Sequence, residues 1–404
     1  MKKYVCIVLM ICLLLPAWAF AKTNTEAQSI SGTRPPIRLG DNLTETTYWR
    51  DSGIRTQECR FAVHGDWRDK LTQLQGDSAP DLFGLYTCNE NFEIYKSSGV
   101  LADLSGSRVI RNAVTRMRPE TQRLLTTKDG KIIGFPNIHM LRPLYWDQEA
   151  WDAVGLTAAD VPQSFTELLD FLENWVDRVA MSPEKAVCIS DLRYYDTGKE
   201  EDYSAWLVNL LLITWETQQR YAGEDVAFHI PEFITLAERV RVVGQKLYQT
   251  EPSPKKRQKM LQLFYNETLE SRSPAFGGRN YGLSHAIPLR ITVDQPALLR
   301  ANANIQCVRA GSEWLDEAIG YIEDDMNRMN QAFCYSLYMD FTPGKYGAWS
   351  VSEGWMKDFS SYDGMIVYLV DGYDPQKEKL VRPFAKGEIT AQQLAEGLDK
   401  PLVQ

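Results

Sequence analysis

Helical and strand-like signals alternate along almost the whole chain, and that alternation confines it to an α/β architecture. Trp67, Leu71 and Leu74 share one helical face that stops at Gly76. Ser164 to Glu167 reads as a capping box ahead of Leu168, Leu169, Leu172, Trp175, Val176 and Val179 at helical spacing. Ser312 can cap a helix whose apolar face is Trp314, Ala318, Tyr321 and Ile322. Thr390 to Gln393 is a second capping box, leading into Leu394 and Leu398. Ala205 to Trp215 is apolar nearly throughout and suits a buried helix, being too short to span a bilayer. Among these lie the strand candidates. Asp81 to Tyr86 reads as a buried parallel strand. Ile132 to Phe135 follows the Asp129-Gly130 turn and is expected to stop at Pro136. Leu141 to Trp146 and His285 to Leu289 each carry a proline, which suits an edge or a crossing rather than a sheet centre.

The first residues stand apart from this pattern. Lys2 and Lys3, the apolar run Tyr4 to Ala17 and the small-x-small triplet Ala19-Phe20-Ala21 make residues 1–21 a signal peptide, cleaved after Ala21. Cys12 follows Ile11 rather than a small residue, so lipid attachment is not expected. Lys22 to Pro36 is polar, ends in Pro35-Pro36 and reads as a disordered leader. The remainder is long enough for two or three domains. Losing the two lysines takes the net charge from −9 to −11, which argues against a nucleic-acid partner.

Chemistry-bearing motifs are sought and not found. No P-loop, GxSxG, HExxH or EF-hand loop is present. His64, His139, His229 and His285 lack metal-ligand spacing, and the five cysteines after the signal (Cys59, Cys88, Cys188, Cys307, Cys334) are odd in number with no CxxC. No cofactor or metal is therefore expected, and no catalytic residue. The aromatics carry the positive signal, since ring faces with polar rims suit sugars. Trp151, Trp175 and Trp314 read as core. Trp146, Trp215, Trp349 and Trp355 lie near loops, element ends or crossings, where ligand contact and packing both remain open.

From Lys70 onward the order of segments resembles the carbohydrate-type extracellular solute-binding proteins of ABC transporters. KLTQLQGDSAPDLFGL (Lys70 to Leu85) is similar to that family's helix, Gly-Asp and Pro-Asp-hydrophobic stretch. GVLADLSG (Gly99 to Gly106), DGKIIGFPN (Asp129 to Asn137), LYWDQEAWDAVGL (Leu144 to Leu156) and PQSFTELLDFLENW (Pro162 to Trp175) follow in family order. FHIPEFITL (Phe228 to Leu236), SEWLDEAIGYIE (Ser312 to Glu323) and PFAKGEITAQQLAEGLDK (Pro383 to Lys400) resemble its second-lobe and later helices. Only Pro36 to Trp67 departs, leaving little room for the usual strand, full helix and second strand.

The resemblance implies a two-lobed periplasmic-binding-protein-like fold of type II, with the ligand cleft between lobes joined by a multi-crossing hinge. It places residues 37–143 with 290–340 in the N-terminal lobe and 144–289 with 341–404 in the C-terminal lobe. It implies a monomer, periplasmic or extracellular, that captures a sugar or oligosaccharide, does no covalent chemistry on it and presents it to an ABC permease. A secreted carbohydrate-active enzyme and a ligand-sensing partner of a membrane receptor are the rival readings. The loop after the Asp81 strand contributes Tyr86, Asn89 and Glu90, the last two able to pair with hydroxyls. By the same resemblance His139 and the Ala275 to Arg279 loop, with Gly277, Gly278 and Arg279, line the cleft. Trp146 and Trp215 complete the nominated set.

Overall fold

The computed structural model describes residues 34–40, 43, 47–61, 67–87, 92–141, 144–180, 187–190, 192, 198–257, 259–266, 286–327, 366–369 and 375–400. Strand β1 (Ile37–Gly40) is followed by helix α1 (Thr47–Ser52), β2 (Thr56–Cys59), α2 (Trp67–Gln75) and β3 (Leu82–Tyr86). The crowded stretch before Trp67 thus holds both strands and a helix, by shortening the helix to 6 residues and each strand to 4. β1 lies between β2 and β3 and runs parallel to both. β3 reads as an unbroken apolar run because both of its faces are covered, and Leu82, Phe83 and Leu85 are fully buried. Next come α3 (Phe92–Ser98), α4 (Arg108–Arg116), α5 (Pro119–Leu125) and β4 (Phe135–Leu141). Ser107 caps α4 by accepting from the Ile110 amide at 3.0 Å.

The next stretch comprises β5 (Leu144–Trp146), α6 (Gln148–Ala153), α7 (Phe165–Ala180), β6 (Val187–Cys188), α8 (Glu201–Ala222), α9 (Pro231–Thr250), α10 (Pro254–Arg257), β7 (Leu261–Gln262), β8 (Phe264–Asn266) and β9 (Ala286–Ile287). α8 is buried along most of its length, as its apolar run demands, and ends at Gly223 in the left-handed conformation. α9 crosses it closely because position 244 is glycine. A Cβ there would stand 2.5 Å from the Ser204 backbone nitrogen and Cα. At α7 the Glu167 amide donates to Ser164 Oγ at 3.3 Å, but the Glu167 carboxylate accepts from Gln163 N rather than from Ser164 N. The box at Thr390 to Gln393 is reciprocal as expected.

The chain continues through β10 (Leu298–Val308), α11 (Leu315–Asn327), β11 (Ile366–Leu369), α12 (Pro375–Ala385) and α13 (Ala391–Leu398). β10 is the longest strand described and organises the larger sheet, whose order is β11-β10-β3-β1-β2 with β4 also on β10. The strand expected at Ile132 to Phe135 is corrected: Ile132 makes only an isolated bridge to Thr126, and the strand runs from Phe135 through Pro136 to Leu141. Pro136 lies within it because the β10 partner register shifts between Asn304 and Ile305, and a bulge tolerates a residue without an N–H. The other two weak candidates shorten to Leu144–Trp146 and Ala286–Ile287.

Two hydrophobic cores result. The first gathers residues from Ile37 to Phe135 with Leu299 to Ile322, and the second residues from Leu144 to Leu298 with Val381 to Leu398. The three-stranded sheet β8-β5-β9 lies at their seam. Successive side chains of a strand point to opposite faces. Accordingly Leu144 and Trp146 enter the second core while Tyr145 enters the first, and Ile287 enters the second while Ala286 enters the first. On β10 the change comes between Leu298 and Leu299. The residues before it belong with the second core: the Phe165 and Thr166 amides bond the carbonyls of Arg290 and Ile291 at 2.8 and 3.1 Å. Ile366–Leu369 stands on the larger sheet, paired with Leu298 to Ala301. Cys188 and Cys307 are buried, Cys59 is half-buried, and Cys88 and Cys334 lie outside the described residues. Among the described residues no helix is long and apolar enough to cross a membrane.

Candidate ligand-binding site

Ligands of open α/β sheets sit beyond the carboxyl ends of the strands. In the larger sheet β1, β2 and β3 share one direction, so their carboxyl ends, at Gly40, Cys59 and Tyr86, form one edge. β10 is antiparallel to β3, which brings its first half to that same edge. Tyr86 is half-buried there and pairs with Asn304. Thr87 ties the end of β3 down from both sides of the peptide: its amide donates to Ala303 O at 2.9 Å and its Oγ1 accepts from Ala303 N at 3.0 Å. The nominated loop therefore leaves from a fixed point. Asn89 and Glu90 themselves lie outside the described residues, as do Gly277, Gly278 and Arg279. His139 is on β4, opposite Ala303 of β10, so its backbone and the Tyr86 segment flank one strand.

The two nominated tryptophans are placed in the second core. Trp146 is 5% exposed and meets Trp151 edge-on at 5.3 Å. Trp215 is 8% exposed, donates its indole N–H to Ala227 O at 2.9 Å and packs against Phe233 in a T-shaped contact at 5.3 Å. Both rings carry packing, the alternative left open by the sequence. Trp151, Trp175 and Trp314 are core as read. Sequence reasoning passed over the seam sheet instead. Tyr145 of β5 and Tyr265 of β8 are directly opposed, so their side chains share the face that meets the first core. Tyr145 is fully buried and Tyr265 half-buried. The signal that marks them is the apolar-aromatic alternation of Leu144-Tyr145-Trp146 and Phe264-Tyr265, which only a strand at a boundary between two cores requires.

β10 carries an unusual polar row. Asn302, Asn304 and Gln306 alternate with Ala303, Ile305 and Cys307, and all six are buried. Gln306 Nε2 donates to Asp325 on α11 at 3.0 Å. Asn304 lies flat against Gly84, where a Cβ would stand 2.8 Å from its Nδ2 and 2.9 Å from its Cγ. Gly84 thus leaves the space that the Asn304 amide occupies. Asn302 is fully buried, and neither its Oδ1 nor its Nδ2 has a hydrogen-bond partner.

At the opposite end of the sheet a different polar cluster is structural. Asp81 accepts from Arg38 N at 2.8 Å, Ser312 Oγ at 2.9 Å and Arg309 Nη2 at 3.1 Å, which joins β1, β3 and the β10–α11 turn. Beside the second core Glu251 plays the matching part. It accepts from the Trp175 indole at 3.0 Å, the Ile189 amide at 3.0 Å and the Tyr203 hydroxyl at 3.2 Å. Burial pushes its carboxyl above the ordinary value in spite of those donors and of nearby Arg257. The node fixes the chain at Ile189, whose carbonyl receives the Phe264 amide at 2.9 Å and so sets the start of β8.

No family model matches the chain, and no curated protein matches its sequence. Solved structures do match. A family 1 extracellular solute-binding protein from Bifidobacterium longum subsp. infantis aligns with TM-score 0.55 at 13% identity, covering 91% of this chain and 98% of its own. A cyclic α-maltosyl-1,6-maltose binding protein from Arthrobacter globiformis aligns with TM-score 0.57 at 14% identity, covering 90% and 97%. A Mycobacterium tuberculosis protein solved in complex with glycerophosphocholine aligns with TM-score 0.56 at 13% identity, covering 90% and 96%. The chain has the two-lobed, periplasmic-binding-protein-like α/β fold of these proteins.

Proposed function

We propose that the chain is an exported solute-binding protein that holds an oligosaccharide between its two lobes and presents it to an ABC-type permease. The observation that carries this reading is the pair of separate cores joined through strands that change core from one residue to the next. Such strands let two lobes turn about a seam without unfolding either core. The fold likeness over about nine-tenths of the chain supports it, because the matched proteins bind a cyclic maltosyl sugar or glycerophosphocholine, both rich in hydrogen-bonding oxygens. In this reading the lobes are residues 37–143 with 290–340 and 144–289 with 341–404, with the second crossing drawn instead between Leu298 and Leu299, where core membership changes, and with Ile366–Leu369 on the first lobe's sheet.

In this reading Tyr86, Asn89, Glu90 and His139 face the solute from the first lobe, Gly277, Gly278 and Arg279 from the second, and Tyr265 from the seam. Trp146 and Trp215 support the second lobe from within. The protein does no covalent chemistry on its ligand, acts as a monomer and starts near Lys22 after cleavage behind Ala21. A thermal-shift screen with stachyose, maltotetraose, xylotetraose, chitotetraose and glycerophosphocholine tests the binding, since a ligand of the folded state raises the melting point by mass action. At least one oligosaccharide stabilises the protein and is recovered unchanged. Silence across the sugars with a response to glycerophosphocholine moves the ligand class, and turnover of a bound sugar hands the chain to the carbohydrate-active enzymes. Mass spectrometry of the exported chain checks the start, and an intact Met1 contradicts it.

A further inference from the structure

Native proteins pair the large majority of their buried polar side-chain atoms, and each exception calls for a reason. Here the amide row of β10 supplies several at once: Asn302 Oδ1 and Nδ2, Asn304 Oδ1 and Gln306 Oε1 are buried without a hydrogen-bond partner. Gln306 has its other end on Asp325, and Asn304 has its plane on Gly84, so both are seated. Asn302 has neither support. An apolar residue of similar size would serve a core better at that place, because a buried polar group without a partner has lost its water and gained nothing for it.

The position of Asn302 separates it from an ordinary packing residue. Asn304 pairs with Tyr86, the last residue of β3, and β10 runs antiparallel to β3. Asn302 therefore lies beyond the carboxyl end of β3. It also lies a few residues past the crossing between Leu298 and Leu299, nearer the seam along the strand than Asn304 or Gln306. A carboxamide offers two N–H donors and an acceptor oxygen, which matches a sugar hydroxyl that both accepts and donates.

We infer that Asn302 is a ligand-recognition residue: its carboxamide, unpaired in the absence of solute, takes hydroxyl groups of the captured oligosaccharide as partners when the lobes move about the seam. This rests on the sugar-binding reading above. A group whose desolvation is already borne in the ligand-free protein gives the new hydrogen bonds their full worth on binding, with no further desolvation cost on the protein side.

Asn302→Leu and Asn302→Ala in the full chain test the inference, with melting temperature measured without ligand and affinity by calorimetry for whichever of stachyose, maltotetraose, xylotetraose or chitotetraose binds the wild type. The expected result is a ligand-free melting temperature for the leucine variant no lower than that of the wild type, together with binding at least tenfold weaker in both variants. A fall of several degrees in both variants overturns it, because the amide is then holding the fold. Binding within twofold of the wild type overturns it as well, and leaves the sugar-binding reading standing. If no sugar in the set binds the wild type, the sugar-binding reading itself fails and takes this inference with it.

Discussion

Replacing Trp215 by alanine separates a core tryptophan from a sugar platform. The ring is 8% exposed, its N–H is bonded to Ala227 O, and Phe233 meets its face at 5.3 Å with Phe228 a further 5.1 Å along. Truncation removes this packing and leaves a cavity under α8, which for Trp→Ala costs about 3–5 kcal/mol. For a cooperative unit of roughly 150–250 residues each kcal/mol lowers the melting temperature by about 2–4 °C, so the second lobe should melt about 6–20 °C earlier. Trp215→Phe keeps an aromatic ring against Phe233 and loses the hydrogen bond and part of the indole's packing, so its fall is smaller than that. Differential scanning calorimetry without ligand reads both. A fall below about 2 °C for the alanine variant, accompanied by tenfold weaker sugar binding, would refute the packing argument and return the indole to the cleft.

Gly84→Ala drives a methyl group into the Asn304 amide, and overpacking of this kind costs about 1–3 kcal/mol, so urea unfolding should show a lowered midpoint with an unchanged slope. An unchanged midpoint means that Asn304 does not lie on Gly84. Glu251 gives a pH test. Its folded-state carboxyl is raised above the ordinary 4.5, so the folded chain holds that proton more tightly than the unfolded chain does. The Glu251 contribution to stability therefore declines as pH rises through 4.5 towards the raised value. Glu251→Gln should remove that part of the slope when melting temperatures of the two proteins are compared across the window, and parallel curves would contradict the assignment.

How far the sequence discloses this molecule depends on what each residue type has to satisfy. Helices announce themselves where a cap and an apolar face coincide: Leu394 and Leu398 behind Thr390, and the stripe of Trp314, Ala318, Tyr321 and Ile322, are buried as read. The strand at Leu82–Tyr86 is legible because a sheet covered on both faces needs a continuous apolar run. Pro136 misleads, since the register shift that admits it shows only in the pairing of β4 with β10, which is distant in sequence. Trp215 is ambiguous for a different reason. A helix apolar on all sides has no moment to say which ring faces outward, and only the tertiary contact with Phe233 decides it. The row Asn302, Asn304 and Gln306 is the least legible of all. Polar residues alternating with apolar ones ordinarily mean a strand with one wet face, and here that face is dry.

Small-angle scattering on the protein, with and without a saturating oligosaccharide identified by the thermal-shift screen, tests capture between the lobes most directly. A ligand shifts an open–closed equilibrium only by touching the closed form better, which requires contact with both lobes. The radius of gyration should fall on adding the sugar, and the same addition to Asn302→Leu at equal concentration should give a smaller fall. A radius that stays the same for the wild type at full saturation would contradict closure of two lobes on a captured solute.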